Sequence, residues 1–450
     1  MLLPLQAMKD EISYSNIWRI AYPIIIGSVS QTILNITDTV YLGQLGELEL
    51  GAGAIGALFY LAIIMVINGF TIGNQIIMAR RFGEGSKAGI GQTFSNATML
   101  LLGISVAITL IVYTLTPTLI PNLVSNQQIG ALVVDFIDYR IWGLFFAGFT
   151  LLFRAFYVAT ANTRILIAVT TSTVGLNVIL NYLLIFGKMG LPAMGFAGAA
   201  LASVISEVVG FVIIVAYTLW KSYVKEYLLL KLRGFNLKQS VEIFKLATPV
   251  MFQHLISFSA WFVIFLIIER MGERPLAISN IVRSLYVTLM VPIWGFAEAT
   301  NSLVSYLMGE KHFDRIATLV KRSMTLSFFS VLVLVVGGMF VLPQIVGFYT
   351  PDISLIEATV PVVRVVMVGA LTMSLGFIVF MAISGTGNTL IAFGLELSDI
   401  LLYILMAFVL IEFTDATVTT IWFIESFYAG YMLLVCSLYL RFGRWRNKVI

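Results

Sequence analysis

Three polar side chains share one face of a long apolar segment near the N-terminus. Gln31, Asn35 and Asp38 have i, i+4, i+7 spacing, which aligns them along one stripe of a helix. Asp38 has no Lys or Arg within one helical turn. A carboxylate inside a membrane helix costs roughly 3 kcal/mol or more unless it meets water or polar partners. Asp38 is therefore the first candidate functional residue.

Two kinds of chemistry are open to this carboxyl group. Burial favours the protonated form, so the group could take up and release a proton. Convergent amide and hydroxyl oxygens would favour the carboxylate instead and could coordinate Na⁺. The sequence leaves this choice open. A second stripe on the fifth predicted helix has i, i+4, i+8 spacing and consists of Thr173, Asn177 and Asn181. With Asn162, Ser203, Ser206 and Glu207, these residues could converge inside the N-terminal lobe.

The elements that carry these residues are apolar membrane helices. The chain has 450 residues, 59% hydrophobic and 11% charged, with a mean hydropathy of +0.98. Soluble domains carry about 25% charged residues. Apolar stretches of about 20 residues, enough to cross a bilayer as a helix, recur along the chain. Alternating segments of about 10 residues, typical of membrane strands, are not apparent. We expect an all-α integral membrane protein.

The chain repeats itself at a fixed offset of 226 residues. The offset relates the pairs Pro23/Pro249, Gly46/Gly272, Gly69/Gly295, Gly83/Gly309, Pro117/Pro343, Gly143/Gly369 and Asn162/Asn388. Two copies of one membrane unit are typical of transporters. Six helices in each copy would place both copies in the same orientation, with a cleft between two pseudo-symmetric lobes that rock to alternate access.

Apolar runs between Gly, Pro and charged breaks predict twelve helices. We expect a lobe of six helices over residues 1–220, a cytoplasmic linker with part of a surface-lying helix over 221–245, and a second six-helix lobe over 246–450. The predicted helices span 17–42, 50–79, 93–116, 131–160, 164–187, 194–220, 240–268, 276–307, 318–342, 357–386, 388–411 and 415–441. Lys and Arg cluster in alternate loops, which predicts that both termini are cytoplasmic.

Several classes of protein fit this composition poorly. The single Cys436 gives no disulfide framework or thiolate cluster, and two distant histidines, His254 and His312, make a metal site improbable. The formal charge of +4 comes from basic residues in loops, where it reports topology rather than nucleic-acid binding. No clustered nucleophile or phosphate-binding motif is apparent. We expect no enzyme activity, no cofactor, and no metal beyond a possible Na⁺ at Asp38.

Other acidic residues in membrane helices are Glu207, Glu298 and Glu425, for which lining a cavity and packing in a polar contact are both open. Glu207 and Glu425 could be related by the repeat. Glu396 and Asp399 have i, i+3 spacing, and with no nucleophile beside them a packing or cavity role is favoured. Pro23 and Pro249 occupy matching positions early in each repeat. Each could bend its helix or be tolerated near the helix start.

Taken together, these motifs resemble the multidrug and toxic compound extrusion (MATE) family of transporters over essentially the whole chain. The motifs that carry the resemblance are Pro23, Asn35-Ile-Thr-Asp38-Thr-Val-Tyr-Leu-Gly43, Ala79-Arg-Arg-Phe-Gly83-Glu-Gly85, Ala161-Asn162-Thr163-Arg164, Asn177-Val-Ile-Leu-Asn181 and Gly195-Phe-Ala-Gly198-Ala-Ala.

The resemblance implies export of diverse, often cationic organic compounds, driven by inward flow of H⁺ or Na⁺. It implies cation coupling at Asp38, with Asn162, Asn177 and Ser203 at the family's polar positions. Asn181 stands where some members have an aspartate. A second cation site of some members uses a glutamate and an aspartate, where this chain has Ser257 and Phe377. We therefore expect coupling in the N-terminal lobe alone.

The alternative within the same superfamily is a lipid-linked saccharide flippase. Such flippases tend to have fourteen helices and a basic cavity, whereas this sequence predicts twelve helices and an interior aspartate. A membrane enzyme and a passive channel fit less well, since two rocking repeats suit alternating access. We expect a monomer in the cell (inner) membrane, with small organic substrates and lipid as its partners and no nucleic acid.

Overall fold

The computed structural model describes residues 12–124, 126–229, 236–446 and 448. Every regular element in these ranges is a helix. An apolar segment in a bilayer satisfies its backbone hydrogen bonds internally only in this way or in a closed barrel. The helices are α1 (Tyr14–Leu45), α2 (Glu47–Gly83), α3 (Lys87–Leu123), α4 (Gln127–Arg140), α5 (Gly143–Ala159), α6 (Arg164–Phe186), α7 (Gly195–Trp220), α8 (Tyr223–Glu226), α9 (Leu237–Glu269), α10 (Glu273–Gly309), α11 (Phe313–Phe340), α12 (Leu342–Gly347), α13 (Ile353–Gly385), α14 (Thr389–Phe413) and α15 (Val418–Phe442).

Within the described ranges, eleven helices are each long and apolar enough to cross a bilayer. The pair α4 and α5 is bent by 53° and together forms a twelfth candidate span. The predicted all-α membrane fold is confirmed, and the twelve predicted helices correspond to these spans. α8 and α12 are short additional segments.

The fourth predicted helix, 131–160, is divided in the structure. α4 ends at Arg140, Leu144 N bonds Ile141 O in a tight turn, and α5 begins at Gly143. A Cβ at position 143 would collide with the carboxylate of Glu207 and the guanidinium of Arg140. Glycine at position 143 therefore leaves room for the side chains of Arg140 and Glu207 at the bend between α4 and α5.

The predicted linker is shorter than the sequence suggested. α9 begins at Leu237, so residues 237–245 belong to a membrane helix rather than to a linker. The described part of 221–236 contains one helical turn, α8. Residues 230–235, which include Lys231 and Arg233 of the predicted linker, lie outside the described residues.

The chain forms two compact units, and two of its helices each contribute residues to both units. The N-unit comprises Ile26–Met251, and the C-unit comprises the described residues up to Ile25 together with those from Phe252 onward. Each boundary lies inside a helix, two residues after Pro23 in α1 and two residues after Pro249 in α9. The sequence-based boundary at 220 lies instead at the end of a predicted helix, and the one at 246 lies in the first turns of the predicted helix 240–268.

Paired glycines make close contact with α1 and α9. In the N-unit, a Cβ on Gly69 of α2 would lie 2.6 Å from the Cα of Met251 in α9. In the C-unit, a Cβ on the matching Gly295 of α10 would collide with the side chain of Ile25 in α1. Glycine therefore permits the same close helix approach at the same repeat position in both units.

The repeat is also visible in backbone conformations that L-residues rarely adopt. Gly85 has φ 71° and its match Lys311 has φ 62°, while Ala161 has φ 52° and its match Gly387 has φ 88°. Non-glycine residues pay a steric cost in this region. Two such positions recurring at an offset of 226 show that both copies use the same turns.

Candidate cation site

Asp38 of α1 is held by an asparagine of α6. Asn181 Nδ2 donates a hydrogen bond of 2.6 Å to Asp38 Oδ1. Asn181 is fully buried and Asp38 is partly buried. A neutral amide donor stabilises a carboxylate without cancelling its charge. The site therefore keeps one formal negative charge available for a proton or a cation.

Asn177 and Ser203 extend this contact into a polar network. Asn181 Nδ2 also lies 2.7 Å from the Asn177 side-chain oxygen, and the Asn177 amide lies 3.1 Å from Ser203 Oγ. If the Asn177 side-chain amide is flipped by 180°, its nitrogen donates to Asp38 Oδ1 at 3.3 Å and its oxygen accepts from Ser203. The predicted stripe of α6 therefore meets Asp38 and α7, as the helical spacing suggested.

One oxygen of this network is left over. Asn181 Oδ1 is buried and has no hydrogen-bond partner among the described residues. Buried polar atoms normally have a partner. An unused carbonyl oxygen next to a carboxylate suits a protonated carboxyl group, which donates, or a cation, which takes oxygen ligands.

A second charged group in the N-unit is already balanced. Arg140 Nη1 and Nη2 donate to the two carboxylate oxygens of Glu207 at 2.7 and 2.6 Å, and the guanidinium lies 3.7 Å from the ring centroid of Tyr60. The Arg140 charge also acts on Asp38 electrostatically. Glu207, predicted as a possible cavity-lining residue, is thus one half of a buried bidentate ion pair.

Two predicted residues of α1 lie outside the Asp38 network. Gln31 and Asn35 are exposed, and Gln31 Nε2 donates weakly to Asn35 Oδ1 at 3.4 Å. Neither has a described hydrogen bond to Asp38. The stripe shares one helix face as predicted, but only its last member reaches α6.

Asn162 has a local partner in a turn. Its Nδ2 donates to Thr160 O at 3.2 Å and lies 3.5 Å from Thr160 Oγ1. Its match Asn388 makes the corresponding hydroxyl contact, from Nδ2 to Thr386 Oγ1 at 3.2 Å. These asparagines follow Ala161 and Gly387, which both have positive φ. The same contact in both copies is explained by turn geometry.

The acidic residues of the C-unit have different surroundings. Tyr286 Oη donates to Glu425 Oε1 at 2.5 Å, and Ser257 Oγ donates to Glu396 Oε1 at 2.6 Å. Asp399 is buried beside them on α14. Glu298 lies on α10 and is partly buried. Phe377 stacks on Phe380 with ring centroids 5.7 Å apart.

Sequence reasoning missed Arg140, Tyr60 and Tyr286. The signal for Arg140 was available, because an arginine inside a predicted membrane helix requires a counter-charge or a break. Tyr60 and Tyr286 are related by the offset of 226, and each lies beside a glutamate, Glu207 or Glu425. That agreement supports the predicted relation between the two glutamates.

In the part of the chain that the structure describes, no group of three His, Cys, Asp or Glu side chains is spaced to hold a metal ion. A monovalent ion at Asp38 would instead draw on one carboxylate and neutral oxygens. The neutral groups that could supply these oxygens are Asn181 Oδ1 and the side chains of Asn177 and Ser203.

Comparison with known proteins agrees with the repeat. The family model MatE matches residues 23–183 and again residues 249–409, two segments separated by the same offset of 226. The chain belongs to the MatE family. Both matched segments begin at the paired prolines, and the first contains Asp38, Asn177 and Asn181.

Several curated multidrug resistance proteins named NorM are similar to this chain. A probable multidrug resistance protein NorM of Synechocystis is 24% identical over 336 residues, 74% of this chain and 72% of that protein. The Thermotoga maritima NorM is 24% identical over 390 residues, 83% and 80% of the two chains. The match to the Agrobacterium fabrum NorM, 26% identical, spans 65% of this chain and 63% of that protein.

Solved structures share the fold. An outward-facing multidrug resistance MATE family transporter superposes with a TM-score of 0.89 at 22% identity, covering 96% of each chain. A MOP superfamily transporter from Pyrococcus furiosus gives the same score, identity and coverage. At 22% identity these likenesses show the fold alone, while membership of the MatE family, a family of multi-pass membrane transporters, rests on the family model and the NorM relatives.

Proposed function

We propose that this protein is a secondary active antiporter that exports diverse, often cationic organic compounds in exchange for H⁺ or Na⁺. The observation that carries the proposal is the polar site at Asp38. One carboxyl group, held by a buried amide, is the kind of intramembrane charge that marks an ion pathway. The NorM relatives are named as multidrug resistance proteins, which supports organic substrates here.

The transport cycle we propose is alternating access by rocking of the two units. Occupation of Asp38 by the ion would favour one conformation, and binding of the organic compound would favour the other. A ligand shifts such an equilibrium only by its difference in affinity for the two states. The two helices that pass from one unit to the other, α1 and α9, are the natural places for bending, near Pro23 and Pro249.

We further propose a location in the cell (inner) membrane with both termini cytoplasmic. The support is the clustering of Lys and Arg in alternate loops, such as Arg80 and Arg81 at the end of α2 and Arg441 at the end of α15. Cysteine accessibility at an introduced site in the loop after α2 would test this orientation.

The experiment that tests the function uses the full chain in proteoliposomes. Accumulation of ethidium would be measured under an imposed pH gradient, an imposed Na⁺ gradient and no gradient. The proposal expects accumulation that depends on at least one of the two gradients. Gradient-independent translocation of a lipid-linked saccharide, without ethidium transport, would establish the flippase alternative instead.

A further inference from the structure

Three carboxyl groups in the C-unit lie together away from the Asp38 site. Glu396 and Asp399 are one turn apart on α14, and Glu425 lies on the neighbouring α15. The exposed fractions of these residues are 6%, 1% and 4%. We call these three residues the C-unit acid cluster. Asp399 feels the charges of both glutamates, so the three groups act on one another.

Neutral hydroxyl groups provide the described contacts of the cluster. Ser257 Oγ of α9 donates to Glu396, Tyr286 Oη of α10 donates to Glu425, and Tyr403 of α14 also bonds Glu425. Two carboxyl oxygens remain. Glu396 Oε2 and Asp399 Oδ2 are buried and have no hydrogen-bond partner among the described residues.

The N-unit shows how the same fold balances a buried glutamate with a cation. Tyr60 and Tyr286 are matching residues, and each lies beside a glutamate. In the N-unit, Arg140 pairs with Glu207 through two hydrogen bonds. The C-unit residue at the position matching Arg140 is Val366, which is fully buried. Glu425 therefore lacks the arginine that its counterpart has.

The titratable groups facing the cluster add no positive charge. Tyr428 and Cys436 of α15 lie within electrostatic reach of Asp399 and Glu396, as Tyr403 does of Glu425. Arg283 is one turn before Tyr286 on α10, but its side chain is exposed and lies 5.1 Å from the centre of the Phe265 ring. Among the described residues, the charges that act on these carboxyl groups are thus those of the cluster itself.

We propose that the C-unit acid cluster is a second proton-binding site of this protein. Three ionised carboxylates without a cation cannot share one buried space, because each repels the others and each has lost its hydration. A bound proton removes one charge and turns an unused carboxyl oxygen into a donor for its neighbour. Protons fit better than a metal ion that needs three such ligands, since these side chains are not spaced to hold one.

Glu396 is the member of the cluster that would exchange protons with its surroundings. This residue also lines a narrow crevice between α9 and α14, whose other walls are Gln253, Ile256, Phe393, Leu397 and Ile400. Glu396 is the most exposed member of the cluster. It would therefore exchange protons first and pass them to Asp399, one turn away.

The test uses infrared difference spectroscopy of the full-length protein in detergent, and it needs no transport. Protonated carboxyl groups give a C=O stretching band that shifts on transfer to D₂O. Wild-type protein should show this band near neutral pH. Asp399→Asn, Glu396→Gln and Glu425→Gln should each reduce it, and Asp399→Glu should keep a band at a shifted frequency. Glu412→Gln is the matched control, an exposed acid on the same helix that contacts Arg270.

The outcomes separate this site from the proposed function. An unchanged band in all three amide variants, or no such band in the wild type, would overturn the second proton site. Arg140→Met offers an independent check, because removing the cation from Glu207 should add a protonated carboxyl band in the N-unit. Failure of ethidium transport would contradict the antiporter proposal and leave the infrared result intact.

Discussion

The side-chain amide of Asn181 donates a 2.6 Å hydrogen bond to the Asp38 carboxyl group and so joins α6 to α1 in the N-unit. Asn181 is fully buried, and its own amide oxygen has no described partner. The carboxyl group is thus positioned by a neutral donor while its charge remains uncompensated at that contact. This relation makes Asp38 the centre of the proposed coupling site.

Removal of that donor should change the ion affinity of Asp38. Asn181→Ala deletes a hydrogen bond to a charged group, a contact that contributes about 1.5–3 kcal/mol. The expected result is a shift of about 10- to 100-fold in the ion concentration that half-saturates ethidium transport in proteoliposomes. Asn162→Ala is the control, because Asn162 bonds Thr160 rather than Asp38. Equal shifts in both variants would contradict a specific role for Asn181.

The ion pair of Arg140 and Glu207 should be structural. Its side chains are 12% and 17% exposed, so Arg140→Met leaves a largely buried carboxylate unpaired. Such a change typically costs about 3–5 kcal/mol. In detergent, Arg140→Met should have a markedly lower unfolding temperature than the wild type. The double variant Arg140→Met with Glu207→Met should recover most of that difference.

The control for this prediction is an exposed ion pair. Lys87 Nζ lies 2.8 Å from Glu226 Oε1, and the two side chains are 54% and 34% exposed. Exposed pairs contribute about 0–1 kcal/mol, so Lys87→Met should change the unfolding temperature little. If the double variant of Arg140 and Glu207 is no more stable than Arg140→Met, the unpaired Glu207 carboxylate is not the cause of the lost stability.

The paired prolines should affect rate rather than folding. Each lies two residues before the point at which its helix passes from one unit to the other. Pro23→Ala and Pro249→Ala restore a backbone donor and remove the local cause of bending. Both variants should fold and transport ethidium more slowly. Pro361→Ala is the control, since Pro361 lies inside α13 within one unit; an equal effect there would argue against hinges.

The matched glycines should not accept a side chain. A Cβ on Gly69 would approach the α9 backbone at Met251, which cannot rotate away as a side chain can. Overpacking costs about 1–3 kcal/mol, so Gly69→Val should lower the unfolding temperature clearly. Gly103→Ala, where nothing lies within 4 Å of the new Cβ, should leave it unchanged or raise it. Full stability of Gly69→Val would contradict the close helix contact.

The sequence predicted the membrane class, the repeat and the stripes on α1 and α6, because hydropathy and helical spacing are local signals. It could not predict which stripe members meet, since contact depends on how helices pack. Asp38 reaches Asn181, whereas Asn35 on the same face remains exposed. Asn162 looked polar and functional, but its partner is two residues away.

The C-unit acids illustrate the same limit. Glu396 and Asp399 were visible as an i, i+3 pair, but Glu425 joins them only through packing of α14 on α15. Ser257, where the resemblance implies a glutamate in some members, donates instead to Glu396 of another helix. A position-by-position comparison therefore finds no acid at Ser257 of α9, while the folded C-unit buries Glu396, Asp399 and Glu425.

The most direct test of the coupling site compares wild-type protein with Asp38→Asn and Asp38→Glu in proteoliposomes. The measurement is gradient-driven accumulation of ethidium at matched protein content, with folding checked by monodisperse elution. The account predicts that Asp38→Asn loses accumulation at least tenfold and that Asp38→Glu, which keeps the acid, retains part of it. Accumulation by Asp38→Asn at the wild-type level would contradict the central claim.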